Sequence, residues 1–151
     1  MCPGGYREFM VHGRRVLPEP TELTAAHWTS GASGRLLVQR CLQCRRWSFP
    51  PVPNCRHCWS GTLEFEPVGG KGALTSWAGV PGPRTQSRLV GIVDLVEGPR
   101  LMLGLVECDP DDLRVGAPVR LVFENVDDRI WLPLAELEES DLFEDRIEAV
   151  S

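Results

Sequence analysis

Four cysteines stand as two Cys-x-x-Cys pairs, Cys41 with Cys44 and Cys55 with Cys58, separated by ten residues. A short hairpin with one pair at each tip brings four sulfurs onto one ion. Zinc takes four thiolates in a tetrahedron at about 2.3 Å, and an all-cysteine set leaves no position for water or substrate. The spacing therefore predicts one structural Zn2+. Iron accepts the same four sulfurs, so spacing alone does not separate the two metals; zinc is the expectation. His57 lies inside the second pair, where the ligand set is already complete, and reads as an exposed knuckle residue.

The remaining chemistry-bearing residues do not assemble into a catalytic set. Cys2 and Cys108 are left over; Cys108 closes an apolar run and reads as a small buried hydrophobe rather than a nucleophile. The three histidines, His12, His27 and His57, fall in an arm, a short helix and the metal knuckle. Neither a phosphate loop nor a dinucleotide fingerprint is present. An independent hydrolase or transferase using Cys108 would lack a base.

The elements that must position the sulfurs follow from punctuation and periodicity. Residues 1–34 read as a Gly- and Pro-rich arm followed by a short helix capped by Thr21, running through Trp28, with Gly31 and Gly34 as stops. Residues 35–66 read as the ribbon: a strand from Arg35 into Cys41, a return through Trp47, Phe49 and the prolines, and a half-exposed strand over Thr62–Glu66. About 30 residues cannot build an adequate core alone, so metal binding and folding of this segment should be one event.

Residues 67–134 hold five strand candidates: Lys71–Val80, Leu89–Val96, Leu101–Cys108, Val119–Val126 and Arg129–Leu134. Glu97-Gly98-Pro99 makes a tight connection, and Asp109–Leu113 one helical turn. Short strands with regular turns fit a five-stranded OB-fold barrel, with a sandwich as the alternative. The predicted class is mainly β. Residues 135–151 form an acidic tail, read either as solvated and disordered or as an amphipathic helix that docks on a partner.

Formal charge is −5 and unevenly placed: residues 1–71 carry nine Lys or Arg against five acids, and the remainder seven against sixteen. The acidic half would repel a nucleic-acid polyanion. No apolar stretch approaches the roughly 20 residues of a membrane span. The amino terminus lacks a secretory signal, and paired thiols favour a reducing compartment. The expected location is cytoplasmic, with no nucleic acid and no membrane as partners.

The sequence resembles the zinc-ribbon plus OB-fold proteins associated with acyl-CoA enzymes, accessory subunits of thiolase-like proteins. The resemblance runs through Gly34-Arg35-Leu36, Gln39-Arg40, Cys41-Leu42-Gln43-Cys44, Phe49-Pro50-Pro51, Cys55-Arg56-His57-Cys58, Leu63-Glu64-Phe65, Gly70-Lys71-Gly72 and Gly116-Ala117-Pro118-Val119. It implies a non-catalytic subunit that binds a thiolase or thiolase-like aldolase and helps form its acyl-CoA site. A bulky thioester, such as one on a sterol side chain, is the favoured substrate. Members of that family often carry glycine directly after each cysteine pair, where this chain has Arg45 and Trp59. A side chain in a left-handed knuckle costs roughly 1 kcal/mol, well below the 10 kcal/mol or so that structural zinc contributes.

Coenzyme A presents phosphates and an adenine, so cations beside apolar walls are the candidate contacts: Arg45 and Arg46 beside Trp47, and Lys71, Arg84 and Arg88 on the barrel loops. Trp28, Trp47, Phe49 and Trp59 are the candidate partner anchors, while Trp77 and Phe65 are assigned mainly to packing. The competing reading is a single-stranded nucleic-acid module, since ribbons and OB-folds also serve that purpose. Its barrel strands would offer only Trp77, Phe123 and Trp131 for stacking.

Overall fold

A computed structural model describes residues 17–80 and 88–138. Residues 1–16 of the expected arm, residues 139–151 of the expected tail and Arg84 lie outside the described residues, whereas residues 135–137, expected in the tail, continue the last barrel strand.

The expected cap, Thr21, lies in the turn before the helix, whose N-cap position is Thr24: the Thr21 Oγ1 accepts from the Thr24 N–H at 3.3 Å and its carbonyl from the Ala25 N–H at 2.8 Å. Regular helix starts later than expected. Helix α1 covers Ala25–Thr29 and continues as a 3-10 turn over Ser30–Ser33. Gly31 is therefore not a stop. The stop is Gly34, left-handed at φ 73°, whose N–H returns to the Gly31 carbonyl at 2.9 Å.

Gly31 serves a different purpose. An added Cβ there would stand 2.5 Å from the Trp131 Cβ and 2.6 Å from the Phe123 ring. The helical segment thus lies directly on two barrel aromatics, and only glycine permits that approach. Phe123 and Trp131 are consequently partly buried.

The ribbon is a three-stranded antiparallel sheet in the order β2-β1-β3, where β1 is Leu36–Cys41, β2 is Trp47–Ser48 and β3 is Leu63–Val68. Then come β4 (Lys71–Val80), β5 (Arg88–Leu95), β6 (Arg100–Leu105), β7 (Pro118–Asp127) and β8 (Ile130–Leu137). They close as a barrel in the order β4-β5-β6-β8-β7, which excludes the sandwich. All contacts are antiparallel except β6 with β8, a parallel seam of two residue pairs. Glu97-Gly98-Pro99 forms the expected tight connection, with Gly98 at φ 121°. The expected turn appears at Pro110–Asp112, capped by the Asp109 side chain on the Asp111 N–H at 2.9 Å.

Strand β6 ends at Leu105, three residues before the expected end. Glu107 at φ 52° turns the chain out of the sheet, so Cys108 sits half-buried in the following loop, packed against the core. Trp77 also departs from expectation. It is exposed on β4 rather than packed inside.

Ribbon and barrel share one core: Leu36, Val38 and Val68 from the ribbon root join Leu74, Val93, Leu101, Leu103 and Val119. The joint is locked by polar contacts. The Trp47 indole N–H donates to the Glu97 carbonyl at 3.0 Å, and the Glu97 carboxylate accepts from the Gly69 N–H.

His27 is fully buried beneath this joint, its ring 4.8 Å from Trp28 and 5.1 Å from Phe49. Nδ1 lies 3.0 Å from the Leu37 carbonyl, while Nε2 has no hydrogen-bond partner. Burial lowers its pKa below 6.5, against the opposing pull of the Leu37 carbonyl.

Gly31→Ala should lower unfolding free energy by about 1–3 kcal/mol, read from the urea midpoint. For His27 the unfolded state binds a proton that the folded state resists. Stability present above pH 6.5 should therefore fall as pH drops from 6.5 toward the lowered folded value. His27→Phe should remove that part of the slope, measured as the difference between the two proteins' pH-dependent urea midpoints.

Candidate metal centre

The first Cys-x-x-Cys pair ends β1 with a tight turn, and the second makes a like turn in the loop between β2 and β3. In the first, the Arg45 N–H donates to the Cys41 carbonyl and the Cys41 N–H to the Arg46 carbonyl, both at 2.9 Å. In the second, the Trp59 N–H donates to the Cys55 carbonyl and the Cys55 N–H to the Ser60 carbonyl, also at 2.9 Å. The same fold of backbone is thus used twice. Each turn closes through a left-handed residue, Arg45 at φ 64° and Trp59 at φ 63°. These are the two positions where the sequence departs from glycine, so the departure leaves the knuckle geometry in place and costs roughly 1 kcal/mol at each.

The knuckles bring the four sulfurs within 4.8 Å of one another. Cys41 Sγ and Cys58 Sγ are 3.6 Å apart, as are Cys44 Sγ and Cys55 Sγ. A tetrahedron with zinc–sulfur bonds of about 2.3 Å has edges of about 3.8 Å, so the four donors fit one zinc ion. Cys41 and Cys55 are buried, Cys44 and Cys58 half-buried. Backbone N–H groups point at the sulfurs, from Cys44 to Cys41 Sγ at 3.5 Å and from His57 to Cys55 Sγ at 3.4 Å.

Those donors prepare the thiols for metal. The N–H of Cys44, with that of Gln43, brings the Cys41 pKa down to about 6, against the effect of burial. The N–H groups of Cys58 and His57 lower Cys55 likewise. Cys58 is also approached by the Ser60 N–H, which lowers it. Burial and sharing with the other three sulfurs nevertheless push it up to about 11. A bound divalent cation supplies the missing positive charge, so loading releases the last protons.

Around the sulfurs, Arg40 bonds Glu66 at 3.1 Å and lies over the Trp47 ring at 4.8 Å. Arg45 reaches Glu66 at 3.8 Å. Arg46 Nη1 meets His57 Nδ1 at 2.9 Å, a contact that links the two knuckles and leaves His57 exposed, as expected. Arg40, Arg45, Arg46, Trp47 and Arg100 line a cleft of about 540 Å³ between the ribbon and the Glu97–Pro99 turn.

The proposed coenzyme A contacts therefore separate. Arg45 and Arg46 meet at this cleft. Lys71 instead pairs with Glu138 at 3.0 Å, and Arg88 begins β5 opposite Val80, at the other end of the β4–β5 hairpin. The candidate anchors separate too. Trp28, Trp47 and Phe49 are half-buried in internal contacts, whereas Trp59 is 79% exposed.

Sequence reasoning missed Arg100 and the role of Gln39, and placed Arg40 only among the cations around the sulfurs. Arg40 and Arg100 complete the cleft, and the Arg100 guanidinium is oriented by Asp94 through bonds of 2.6 and 2.8 Å. Gln39 is buried in β1 and stitches the proline-rich return to the strand. Its Oε1 accepts from the Val52 N–H at 2.8 Å and its Nε2 donates to the Val52 carbonyl at 3.0 Å. A glutamine two residues before a ligand cysteine was the available signal.

Elemental analysis should find one zinc per chain. A strong chelator should unfold the ribbon and lower overall stability steeply, since apparent binding energies at such sites are about 10 kcal/mol or more. Any single Cys→Ser change among the four should do the same, read by near-ultraviolet circular dichroism of the ribbon tryptophans.

Family models match two adjoining stretches: residues 28–64 match the rubredoxin-like zinc ribbon domain of ChsH2, and residues 65–124 its C-terminal OB-fold domain. A DUF35 domain-containing scaffold protein of Methanothermobacter thermautotrophicus is 36% identical over 99 residues, covering 60% of this chain and 73% of the relative. A probable enoyl-CoA hydratase alpha subunit of Thermomonospora curvata is 34% identical over 114 residues. That match takes in 72% of this chain but only 36% of the relative. Among solved structures, the Ltp2-ChsH2(DUF35) aldolase contains a chain that superposes with a TM-score of 0.70 at 30% identity, covering 80% of this chain and 98% of that one.

Proposed function

The chain belongs to the DUF35 family of ChsH2-like zinc-ribbon and OB-fold scaffold proteins, and from that premise we propose that it is a non-catalytic subunit of a thiolase-fold enzyme, helping to form that enzyme's acyl-CoA site. The observation that carries this reading is its overlap with 98% of a chain of the Ltp2-ChsH2(DUF35) aldolase.

The chain's own chemistry agrees with a supporting role. Burial raises the pKa of Cys108, and the carboxylates of Asp109, Asp112 and Glu107 add to the effect. A neutral thiol is a poor nucleophile. His27 is sealed in the core, and His57 is engaged with Arg46. A four-cysteine zinc site has no open position. Bond-making groups then belong to the partner, and this chain supplies walls and charge.

The cleft beside the ribbon suits the nucleotide end of an acyl-CoA. Its volume of about 540 Å³ falls in the range of small-molecule sites. Guanidinium groups of Arg45, Arg46 and Arg100 meet phosphate, and the Trp47 ring offers a face for the adenine. The acyl chain extends into a pocket shared with the partner. A bulky thioester such as a sterol side-chain CoA fits best, because an added subunit helps enclose a large substrate and exclude water. Cleavage of a carbon–carbon bond is the favoured direction. The thiolate set also suits the reducing cytoplasm.

The test is co-expression with the thiolase-fold proteins of the same genome. A hetero-oligomer that cleaves bulky acyl-CoA thioesters, from components inactive alone, is the expected result. Arg46→Glu should raise KM for acyl-CoA at least fivefold with kcat little changed. Turnover by the isolated chain, or full activity of the partner without it, would refute the proposal.

A further inference from the structure

We propose that Trp59, at the tip of the second metal knuckle, is a plug that seats in an apolar, carboxylate-rimmed pocket on the partner protein. This deepens the accessory-subunit reading and rests on it.

Two costs meet at this residue without return inside the chain. Its backbone is left-handed at φ 63°, a conformation that glycine adopts freely and a tryptophan does not. Its side chain is 79% exposed, and among the described residues its indole N–H has no hydrogen-bond partner. The other tryptophans beside the ribbon are employed: Trp28 stacks edge-on against His27, and Trp47 bonds Glu97. Strain combined with exposure of a large ring is the pattern of a residue whose contacts lie on another molecule.

The backbone that carries the ring is also held where it is. The Trp59 N–H is tied to the Cys55 carbonyl at 2.9 Å, and its own carbonyl accepts from Asn54 Nδ2 at 3.4 Å. Cys58 immediately before it is a metal ligand. Little backbone freedom remains to be lost on docking, which favours tight association.

The surrounding charge specifies the pocket. Arg56 and His57 are exposed on the same knuckle, and Arg46 joins them through its 2.9 Å contact with His57. Among the described residues neither Arg46 nor Arg56 has a carboxylate partner. The sulfurs beneath, with their negative charge, are buried or half-buried. With Arg46 turned to the cleft, what the knuckle presents outward is an indole beside the Arg56 guanidinium, whose complement is an apolar pocket with an acidic rim.

Trp59→Gly tests this, because glycine suits the backbone while removing the ring. The variant should keep one zinc per chain and a thermal midpoint at or above the wild type. Its dissociation constant for the co-expressed thiolase-fold partner should rise at least tenfold. Arg56→Glu should weaken the complex strongly at low salt and less at high salt. Partner affinity of Trp59→Gly within twofold of wild type would overturn the plug alone. A wild-type chain that binds no thiolase-fold protein would instead overturn the accessory reading. A change in the oligomeric state of the isolated chain on Trp59→Gly would replace the proposal with a contact between copies.

Discussion

Four sulfurs within 4.8 Å of one another repel as soon as they ionise, and the ribbon is organised around that repulsion. Backbone N–H groups directed at Cys41 and Cys55 offset part of it, and a divalent ion offsets the rest. Once the ion is in place, two turns that would otherwise fray become the most rigid part of a very small sheet. The residues next in line, Arg45 and Trp59, inherit that rigidity whatever their own preference for extended backbone.

Rigidity at the tip matters because the root is equally fixed. Leu36, Val38 and Val68 belong to the same core as the barrel strands, and Trp47 bolts the ribbon to the β5–β6 turn through Glu97. Ion pairs such as Arg40 with Glu66 are partly exposed and add at most about 1 kcal/mol. Burial and the metal dominate. Ribbon and barrel are therefore joined through a shared core as well as a hydrogen bond, and the cleft lies between them.

The four clustered cysteines, the place of the ribbon in the chain and the existence of five barrel strands were legible, because each is written in local spacing or period-two alternation. The family resemblance was legible from motifs and is upheld by the comparisons. Contacts between distant segments were not. Gly31 reads as a helix stop in isolation, and only its 2.5 Å approach to Trp131 reveals why glycine is needed. Trp77 looks like core by composition, yet its place on β4 turns it outward. Arg100 carries no local signal, and only the fold brings it to the cleft that Arg45 and Arg46 line. Each of these depended on which face of the barrel meets the ribbon or the helix, which period-two patterns do not encode.

The metal ligands all lie within Cys41–Cys58, whereas barrel closure waits for β8, which begins at Ile130. During synthesis the complete thiolate set emerges while more than seventy residues remain to be translated before that strand starts. Ion capture is a short-range event with a small loop-closure cost, and barrel closure a long-range one. The nascent chain can thus acquire its metal first, and the loaded hairpin then serves as a template against which the later strands collapse.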